Sequence, residues 1–294
     1  MAERPDEERP ESLPELLELL ELELLDRNLY RGHNPREESG RGSRLFGGQV
    51  AAQALRAATL TVPDGRLPHS MHGYFLRSGR SDIPTILHVD ADRDGGAISA
   101  RRVTAVQDGE VIFTLSASFE QVHDGPELQP GGLPDVPMPE DLPEPATSFW
   151  HFGMFDMRPI SKYPLEGDWA MLKTFWARTR DRLPDDPMLH ACVLTYLSDI
   201  GSGLSELMYV SGHGGPSLDH CMWYHRHIRV DEWVLFTMAP ESASHGHGLY
   251  SGSLYSRSGV LGATIMQENL MRPRPPGFEG AAPWARAADQ PGVG

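Results

Sequence analysis

The chain has 294 residues and a formal net charge of −15 at neutral pH. Such an acidic chain is a poor partner for nucleic acid, because phosphate binding needs a basic surface. It has no run of about 18 apolar residues, so we expect no transmembrane helix and no stable membrane anchor. Only two cysteines are present and no signal peptide precedes them, which favours a cytoplasmic location without a disulfide framework.

The N-terminal segment divides into a polar part and a leucine-rich part. Residues 1–11 are polar and are predicted to be disordered. Ser12 is a plausible N-cap, with Pro14 and Glu15 in the first turn of a short helix over about 13–25. The density of leucine in this helix predicts that it packs against the rest of the fold.

Two proline-rich stretches divide the remaining chain. Residues 124–146 are predicted to be a linker, and residues 273–294 a flexible tail. The domain organisation that follows is an N-terminal unit over 12–123 and a C-terminal unit over 147–272.

The first unit has one small-residue helix followed by strands. Residues 46–65 show helical spacing of apolar residues, and residues 69–77 are predicted to be a strand. Two more alternating runs follow, joined by Asp94-Gly95-Gly96, and Asp108-Gly109 then leads into a last strand. An Asp-Gly pair between alternating runs is a strong hairpin signal.

The second unit repeats this order. Residues 196–215 are predicted to be its helix, and residues 217–226 its first strand, with further strands ending after Ser258-Gly259. We therefore predict an α+β fold made of two repeats, each an antiparallel sheet wrapped around a central helix. Such a repeat is a hot-dog fold, and two in one chain make a double hot dog.

Several motifs carry a family resemblance in this order. They are "RLFGGQVAAQAL", "PHSMHGYFLRSG", "ISARRVTAVQDGEVIF", "LTYLSD", "SLDHCMWYHR", "EWVLF" and "GVLGATIMQENLMR". Together they resemble the type II acyl-CoA thioesterases, over roughly residues 12–272. The resemblance implies a double hot-dog enzyme that hydrolyses fatty acyl-CoA to free fatty acid and CoA, without a metal or other cofactor.

The resemblance also implies which residues act. The family's Asp, hydroxyl residue and Gln, which together hold and activate one water, correspond to Asp199, Ser217 and Gln267. A carboxylate is a suitable general base for water, and a hydroxyl and an amide can orient that water. Taken singly, Asp199 would be interpreted as a helix N-cap, Ser217 as a turn residue and Gln267 as a strand hydrogen-bonder.

Three further residues are candidates for contact with the acyl thioester. Gly47 and Gly48 lie at the start of the first helix, where backbone N–H groups could bind an oxyanion, although tight packing explains them equally well. His72 lies on the first strand and would reach the site or satisfy a buried polar contact.

The phosphates of CoA need a basic docking surface, for which Arg101 and Arg102 are candidates, although exposed Arg is also common on strands. His220, His225 and His227 do not predict a metal site, since His220 points away from the other two on a strand. Asp219, His220, Cys221 and His225 are assigned to packing, strand or hydrogen-bond roles.

Two other functions stay open from the residues alone. One is a hot-dog enoyl-CoA hydratase or dehydratase, which needs a paired Asp and His. The other is an acyl-CoA-binding protein without catalysis, which has no need for three water-orienting residues. Homo-oligomerisation is expected in either case, because hot-dog sheets commonly associate further.

Overall fold

The structure, a computed structural model, describes residues 13–34, 44–143, 154–160 and 172–273. The disordered segment predicted over 1–11 lies outside these residues. So does the tail predicted over 273–294, apart from Pro273, which belongs to a two-residue strand. Among the described residues, no helix is long and apolar enough to cross a membrane.

The first half contains two helices and six strands within the described residues. In chain order these are α1 (Leu13–Leu20), β1 (Glu23–Asp26), β2 (Leu29–Gly32), α2 (Gly47–Thr59), β3 (Arg66–Phe75), β4 (Thr85–Asp94), β5 (Ile98–Gln107) and β6 (Glu110–Gln121).

The second half follows after a short 3-10 turn at Pro139–Asp141. Its described elements are β7 (Phe155–Pro159), β8 (Thr174–Thr179), α3 (Pro187–Ser198), α4 (Ser205–Ser211), β9 (His213–Gly214), β10 (Asp219–Tyr224), β11 (Val234–Ser244), β12 (His247–Ser256), β13 (Leu261–Leu270) and β14 (Arg272–Pro273).

Twelve of these strands form one antiparallel sheet. Their order is β1-β2-β4-β5-β6-β3-β10-β13-β12-β11-β8-β7, while β9 and β14 form a separate pair. The order is the same when counted outward from the central β3–β10 pair in either direction, because β3, β6, β5 and β4 correspond to β10, β13, β12 and β11. The duplicated α+β, double hot-dog architecture predicted from the sequence is thus confirmed.

The two central helices α2 and α3 pack side by side inside this sheet and run in opposite directions. Gly48 of α2 lies against the backbone carbonyl of Tyr196 of α3, and Arg56 near the other end of α2 lies 3.9 Å from Asp186. The alanines of α2 are fully buried, which explains why this helix is built from small residues: Ala51, Ala52, Ala54, Ala57 and Ala58.

The prediction of a helix over 196–215 is wrong. The central helix of the second half is α3, which begins earlier, with Asp186 as an N-cap that accepts a hydrogen bond from the Met188 N–H at 2.9 Å. After α3 the chain bends through Gly201 and Gly203, where the backbone approaches Leu172 and Ala239 too closely for any larger residue. Only the short α4 follows.

The other helices are shorter than predicted. The first helix, predicted over 46–65, ends at Thr59, and Pro63 lies in the loop beyond it. The N-terminal helix, predicted over 13–25, ends at Leu20, because the chain then extends into β1 and pairs with β2. The hairpin signals are correct, since Asp108 and Gly109 both take positive φ angles of 49° and 77° between β5 and β6.

The predicted linker over 124–146, which the structure describes as far as residue 143, is attached to the second half. The Gln129 amide donates to the Gly259 carbonyl and accepts from the Leu261 N–H, each at 2.8 Å. Further along, the Trp176 indole N–H donates to the Pro137 carbonyl at 2.9 Å. The linker thus extends the turn between β12 and β13.

Candidate active site

The three residues implied by the resemblance lie together. The Gln267 side-chain amide donates one hydrogen bond to Asp199 Oδ1 at 3.0 Å and one to Ser217 Oγ at 2.6 Å. Gln267 is 2% exposed, on the inner face of β13. Asp199 is the C-cap of α3, so it ends that helix instead of beginning one, and its interpretation as an N-cap was wrong.

A slip in the strand register brings Ser217 to this cluster. Met222 pairs with Ile265 in the regular part of β10 and β13, whereas Ser217 bridges Asn269, one residue out of that register. The Asp219 carboxylate accepts the Glu268 N–H at 2.7 Å at the point of the slip. Asp219 therefore has the hydrogen-bonding role in the strand that the sequence suggested.

His220 has a hydrogen-bond role, as the sequence suggested, but sequence reasoning missed that it lies against Gln267. Its ring is fully buried, with Nε2 at 2.7 Å from Ser198 Oγ and Nδ1 in contact with Gln267 Oε1. The alternation of side chains along a strand gave a signal for this contact, because His220 shares the inner face of β10 with Met222. A polar side chain on that otherwise apolar face needs a partner.

Asn269 is a second missed residue. It is 6% exposed, and its amide Nδ2 donates to Ser217 Oγ at 3.2 Å. Its Oδ1 has no hydrogen-bond partner among the described residues. Asn269 and Gln267 stand two residues apart on the same inner face of β13, which is the signal that links them.

The two glycines at the start of α2 lie next to this cluster. A Cβ on Gly47 would be 2.6 Å from Asp199 Oδ2, whereas a Cβ on Gly48 would be 2.4 Å from the Tyr196 carbonyl. The start of α2, with its positive dipole end, is thus adjacent to the Asp199 carboxylate. Gly48 mainly permits the close packing of the two helices.

His72 does not lie with these residues. It pairs with Cys221 across β3 and β10, so it shares the outer face with Cys221 and points away from the neighbouring His220. Its exposed ring packs edge-on against Trp223, with ring centroids 5.0 Å apart. The prediction that His72 reaches the site or satisfies a buried polar contact is therefore wrong.

The two arginines proposed for phosphate docking also lie elsewhere. Arg101 faces inward from β5, is 1% exposed, and bonds Asp94 Oδ1 at 2.8 Å and the Thr61 carbonyl at 2.9 Å. A buried and fully engaged guanidinium does not fit a docking role, which corrects that expectation. Arg102 faces outward and forms ion pairs with Asp90 and Asp92, four strands away from β13.

The duplicated sheet provides an internal comparison for the cluster. Met71 pairs with Ala117, and Pro68 pairs with Phe119 after a register slip. The second half shows the same slip. Ser217, three residues before His220, bridges Asn269, which lies two residues after Gln267. Leu60, the C-cap of α2, matches Asp199, the C-cap of α3. The positions that match Ser217, His220, Gln267 and Asn269 are likewise apolar: Pro68, Met71, Ala117 and Phe119.

The fold therefore does not require polar residues at these five positions. Arg101 pairs with Ala117 as Tyr250 pairs with Gln267, so Arg101 occupies the place that corresponds to Tyr250. In the first half, the buried side chain of Arg101 lies in the region where the second half has the polar cluster. A polar set that the scaffold does not need points to chemistry.

Known proteins resemble the chain along nearly its whole length. A family model described as acyl-CoA thioesterase matches residues 149–270, and one described as acyl-CoA thioesterase N-terminal domain matches residues 35–120. Acyl-coenzyme A thioesterase 8 of Homo sapiens is 33% identical over 285 residues, covering 87% of this chain and 88% of that protein.

Bacterial relatives are as similar. Acyl-CoA thioesterase 2 of Haemophilus influenzae is 35% identical over 286 residues, covering 88% of this chain and 98% of that protein. The crystal structure of the acyl-CoA thioesterase II TesB2 from Mycobacterium marinum is 39% identical, covers 90% of this chain and 99% of its own, and superposes with a TM-score of 0.74. The chain belongs to the type II acyl-CoA thioesterases. It is an enzyme of the acyl-CoA thioester hydrolase class.

Neither cysteine of this thioesterase has the properties of a nucleophile. Burial raises the pKa of the Cys221 thiol to about 11 and that of Cys192 to about 12. Both thiols are therefore protonated at neutral pH, and a thiolate is the reactive form. Within the described part of the chain, no three His, Cys, Asp or Glu side chains are grouped so that they could hold a metal ion.

The tyrosine beside the cluster stays neutral. Burial and the nearby carboxylates of Asp199 and Asp219 raise the pKa of Tyr250 well above its usual value. Its hydroxyl donates to the Gly201 carbonyl at 3.2 Å, which secures the loop that follows Asp199. Tyr250 thus supports the position of Asp199 from the neighbouring strand.

Proposed function

We propose that this thioesterase hydrolyses fatty acyl-CoA by direct attack of a water molecule that Asp199 activates as a general base. Asp199 takes a proton from the water while the water oxygen bonds to the thioester carbonyl carbon. The resulting tetrahedral oxyanion collapses and the C–S bond breaks. The CoA thiolate takes the proton from Asp199, so that free fatty acid and CoA leave and the carboxylate is restored.

Ser217 acts as a directed donor in this proposal. Its oxygen accepts hydrogen bonds from both Gln267 and Asn269, so its lone pairs are engaged. Its own O–H remains to hold the oxygen of the attacking water. A water that donates to Asp199 and accepts from Ser217 has a fixed direction, which lowers the entropic part of the barrier.

Gln267 acts by joining these two residues. A side-chain amide has two N–H groups, and both are used, one on Asp199 and one on Ser217. It therefore sets the distance between the base and the donor rather than leaving each free to change rotamer. Gln267 orients the water through its two neighbours.

The oxyanion needs hydrogen-bond donors that the same region supplies. The first backbone N–H groups of a helix have no partner inside that helix. Those of Gly47 and Gly48, which begin α2 beside Asp199, are suited to bind the carbonyl oxygen as negative charge develops there.

The single observation that carries the proposal is the bridge from Gln267 to both Asp199 and Ser217, at positions that are apolar in the first half. It favours hydrolysis over the two alternatives. A hydratase needs an Asp and a His that both face the substrate, whereas His220 is fully buried behind Gln267. A protein that only binds acyl-CoA has no use for the bridge. A cytoplasmic location and homo-oligomerisation stay predictions.

Substitution of Asp199 by Asn tests the base directly, because it keeps the shape of the side chain and removes the proton acceptor. We expect kcat for palmitoyl-CoA to fall by about 10²- to 10⁴-fold, the usual contribution of general base catalysis. The measurement is release of free thiol, with Asp92→Asn, an exposed position on β4, as the matched control. Parent-level thiol release by Asp199→Asn would exclude this mechanism.

The parent protein, without substitutions, distinguishes hydrolysis from the hydratase and binding alternatives. Loss of enoyl-CoA absorbance without thiol release would indicate a hydratase. Tight binding across a chain-length series of saturated acyl-CoAs with no turnover would indicate a binding protein.

A further inference from the structure

We propose that His220 is a positioning residue, whose Nδ1–H group fixes the orientation of the Gln267 amide. This inference rests on the proposed function and assigns a role to a residue outside the three water-activating positions. The hydrogen bonds around Gln267 carry it, one step at a time.

The first step fixes the amide. One end of the Gln267 side chain faces two acceptors, Asp199 Oδ1 at 3.0 Å and Ser217 Oγ at 2.6 Å. A carboxylate oxygen cannot donate, so this end must be the NH₂ group. The amide oxygen, Oε1, is then turned toward His220.

The second step places a hydrogen on one nitrogen of the ring. An amide oxygen is an acceptor only, so the His220 nitrogen that contacts it, Nδ1, must carry a hydrogen. The other nitrogen, Nε2, lies 2.7 Å from Ser198 Oγ, whose hydroxyl also donates to the Thr195 carbonyl at 2.8 Å. Both ring nitrogens are thereby satisfied in a fully buried place, as buried polar atoms require.

The third step is that these contacts form a path that begins and ends at neighbouring residues of the chain. Ser198 Oγ contacts His220, His220 donates to Gln267, and Gln267 donates to Asp199, which directly follows Ser198 in the chain. The path ties the end of α3 to β10 and β13. It is directional, because reversal at Gln267 would place Oε1 against the Asp199 carboxylate, and two acceptors repel.

Without the ring, nothing among the described contacts holds Oε1 on its side. The amide would then be free to turn and lose the bridge between base and donor. The duplicated half indicates that the sheet tolerates this loss structurally, because Met71 occupies the position that corresponds to His220 and is fully buried. Methionine at this position fits the fold but cannot donate.

The first test is spectroscopic and does not depend on activity. The full-length protein, labelled with ¹⁵N in its histidine rings, is examined by NMR, and the His220 signals are assigned by their loss in His220→Asn. We expect a hydrogen on Nδ1. A ring that carries its hydrogen on Nε2 alone would overturn the proposal.

The second test is kinetic and compares His220→Met with His220→Asn. The Asn side-chain amide places an N–H close to the position of Nδ1, whereas Met has no donor. We expect His220→Met to lower kcat by about 10- to 100-fold, the effect of losing one buried hydrogen bond to the site, with KM changed by less than about threefold. His220→Asn should stay within about fivefold of the parent.

Two outcomes of the kinetic test contradict the proposal. One is parent-level kcat in His220→Met, and the other is an equal loss in both variants, which indicates a merely structural role. In a protein that already carries Gln267→Ala, the added change His220→Met should lower kcat by less than about twofold, because the group that His220 positions is gone. Should Asp199→Asn keep full activity, the mechanism fails, while the NMR result still decides the tautomer.

Discussion

Gly47 and Gly48 are neighbours at the start of α2, yet a methyl group at each would meet a different obstacle. At Gly47 the obstacle is the end of the Asp199 side chain, which can move, together with the Phe75 ring at 3.1 Å. At Gly48 it is the Tyr196 backbone carbonyl, which cannot move without shifting α3. The first glycine therefore leaves room for the Asp199 carboxylate, the proposed base, and the second leaves room for α3.

This contrast gives a paired prediction. Gly47→Ala should displace the Asp199 carboxylate and lower kcat by about tenfold to a hundredfold, since small misplacements of a reacting group are costly. Gly48→Ala should instead lower the free energy of unfolding by about 1–3 kcal/mol, as overpacking does. Thiol-release kinetics and urea unfolding on both variants check this. Equal effects of the two variants on both measurements would contradict the assignment.

At the scale of single residues, the sequence indicated which residue types form the cluster but did not indicate which way their side chains point. Asp199, Ser217 and Gln267 were identified from ordered motifs. Arg101 shares the inner phase of β5 with Val103 and Ala105, so alternation alone could have shown that it is buried. The role of His220 needed a contact across 47 residues of sequence, which no local pattern contains.

At the scale of secondary structure, hairpin turns were predictable and the second central helix was not. Asp-Gly at 108–109 specifies its turn through local backbone preference. The α3 helix is apolar on nearly all sides because it lies inside the sheet, so it lacks the amphipathic pattern by which helices are recognised. Its start was marked only by Asp186 and Pro187. The register slip at Ser217 depends on pairing with β13 and has no local signal.

The linker contact is open to a test at this scale. Gln129→Ala removes both hydrogen bonds to the turn between β12 and β13, and should lower the free energy of unfolding by about 1–2 kcal/mol with kcat unchanged. Glu127→Ala, which removes only an exposed ion pair to Arg226, is the matched control and should have little effect. Urea unfolding distinguishes the two; equal stability of Gln129→Ala and the parent would show that the linker is not held by this residue.

At the scale of the whole molecule, three histidines make stability depend on pH. Desolvation lowers the pKa of the buried His190 and, at more exposed positions, the pKa of His225 and His227. Between that lowered pKa and about 6.5, the unfolded chain binds protons that the folded chain does not. Stability therefore rises with pH through this window and is lost as the pH falls below about 6.5.

Urea unfolding at pH 5.5 and 7.5 checks this dependence, with lower stability expected at pH 5.5. His190 is the most enclosed of the three, with Nδ1 accepting the Val230 N–H at 3.2 Å. His190→Gln should therefore reduce the difference between the two pH values, whereas His88→Gln, at an exposed position on β4, should leave it unchanged. A parent protein that is equally stable at both values would refute the prediction.

The two halves share a fold, but within the described residues only the second half carries the polar cluster. The residues proposed to activate water therefore occur once in two repeats. In the first half, the matching positions are apolar, and the buried Arg101 occupies the place that corresponds to Tyr250. In the proposed mechanism, one repeat thus carries the water-activating residues, and the other supplies the helix start that lies beside Asp199.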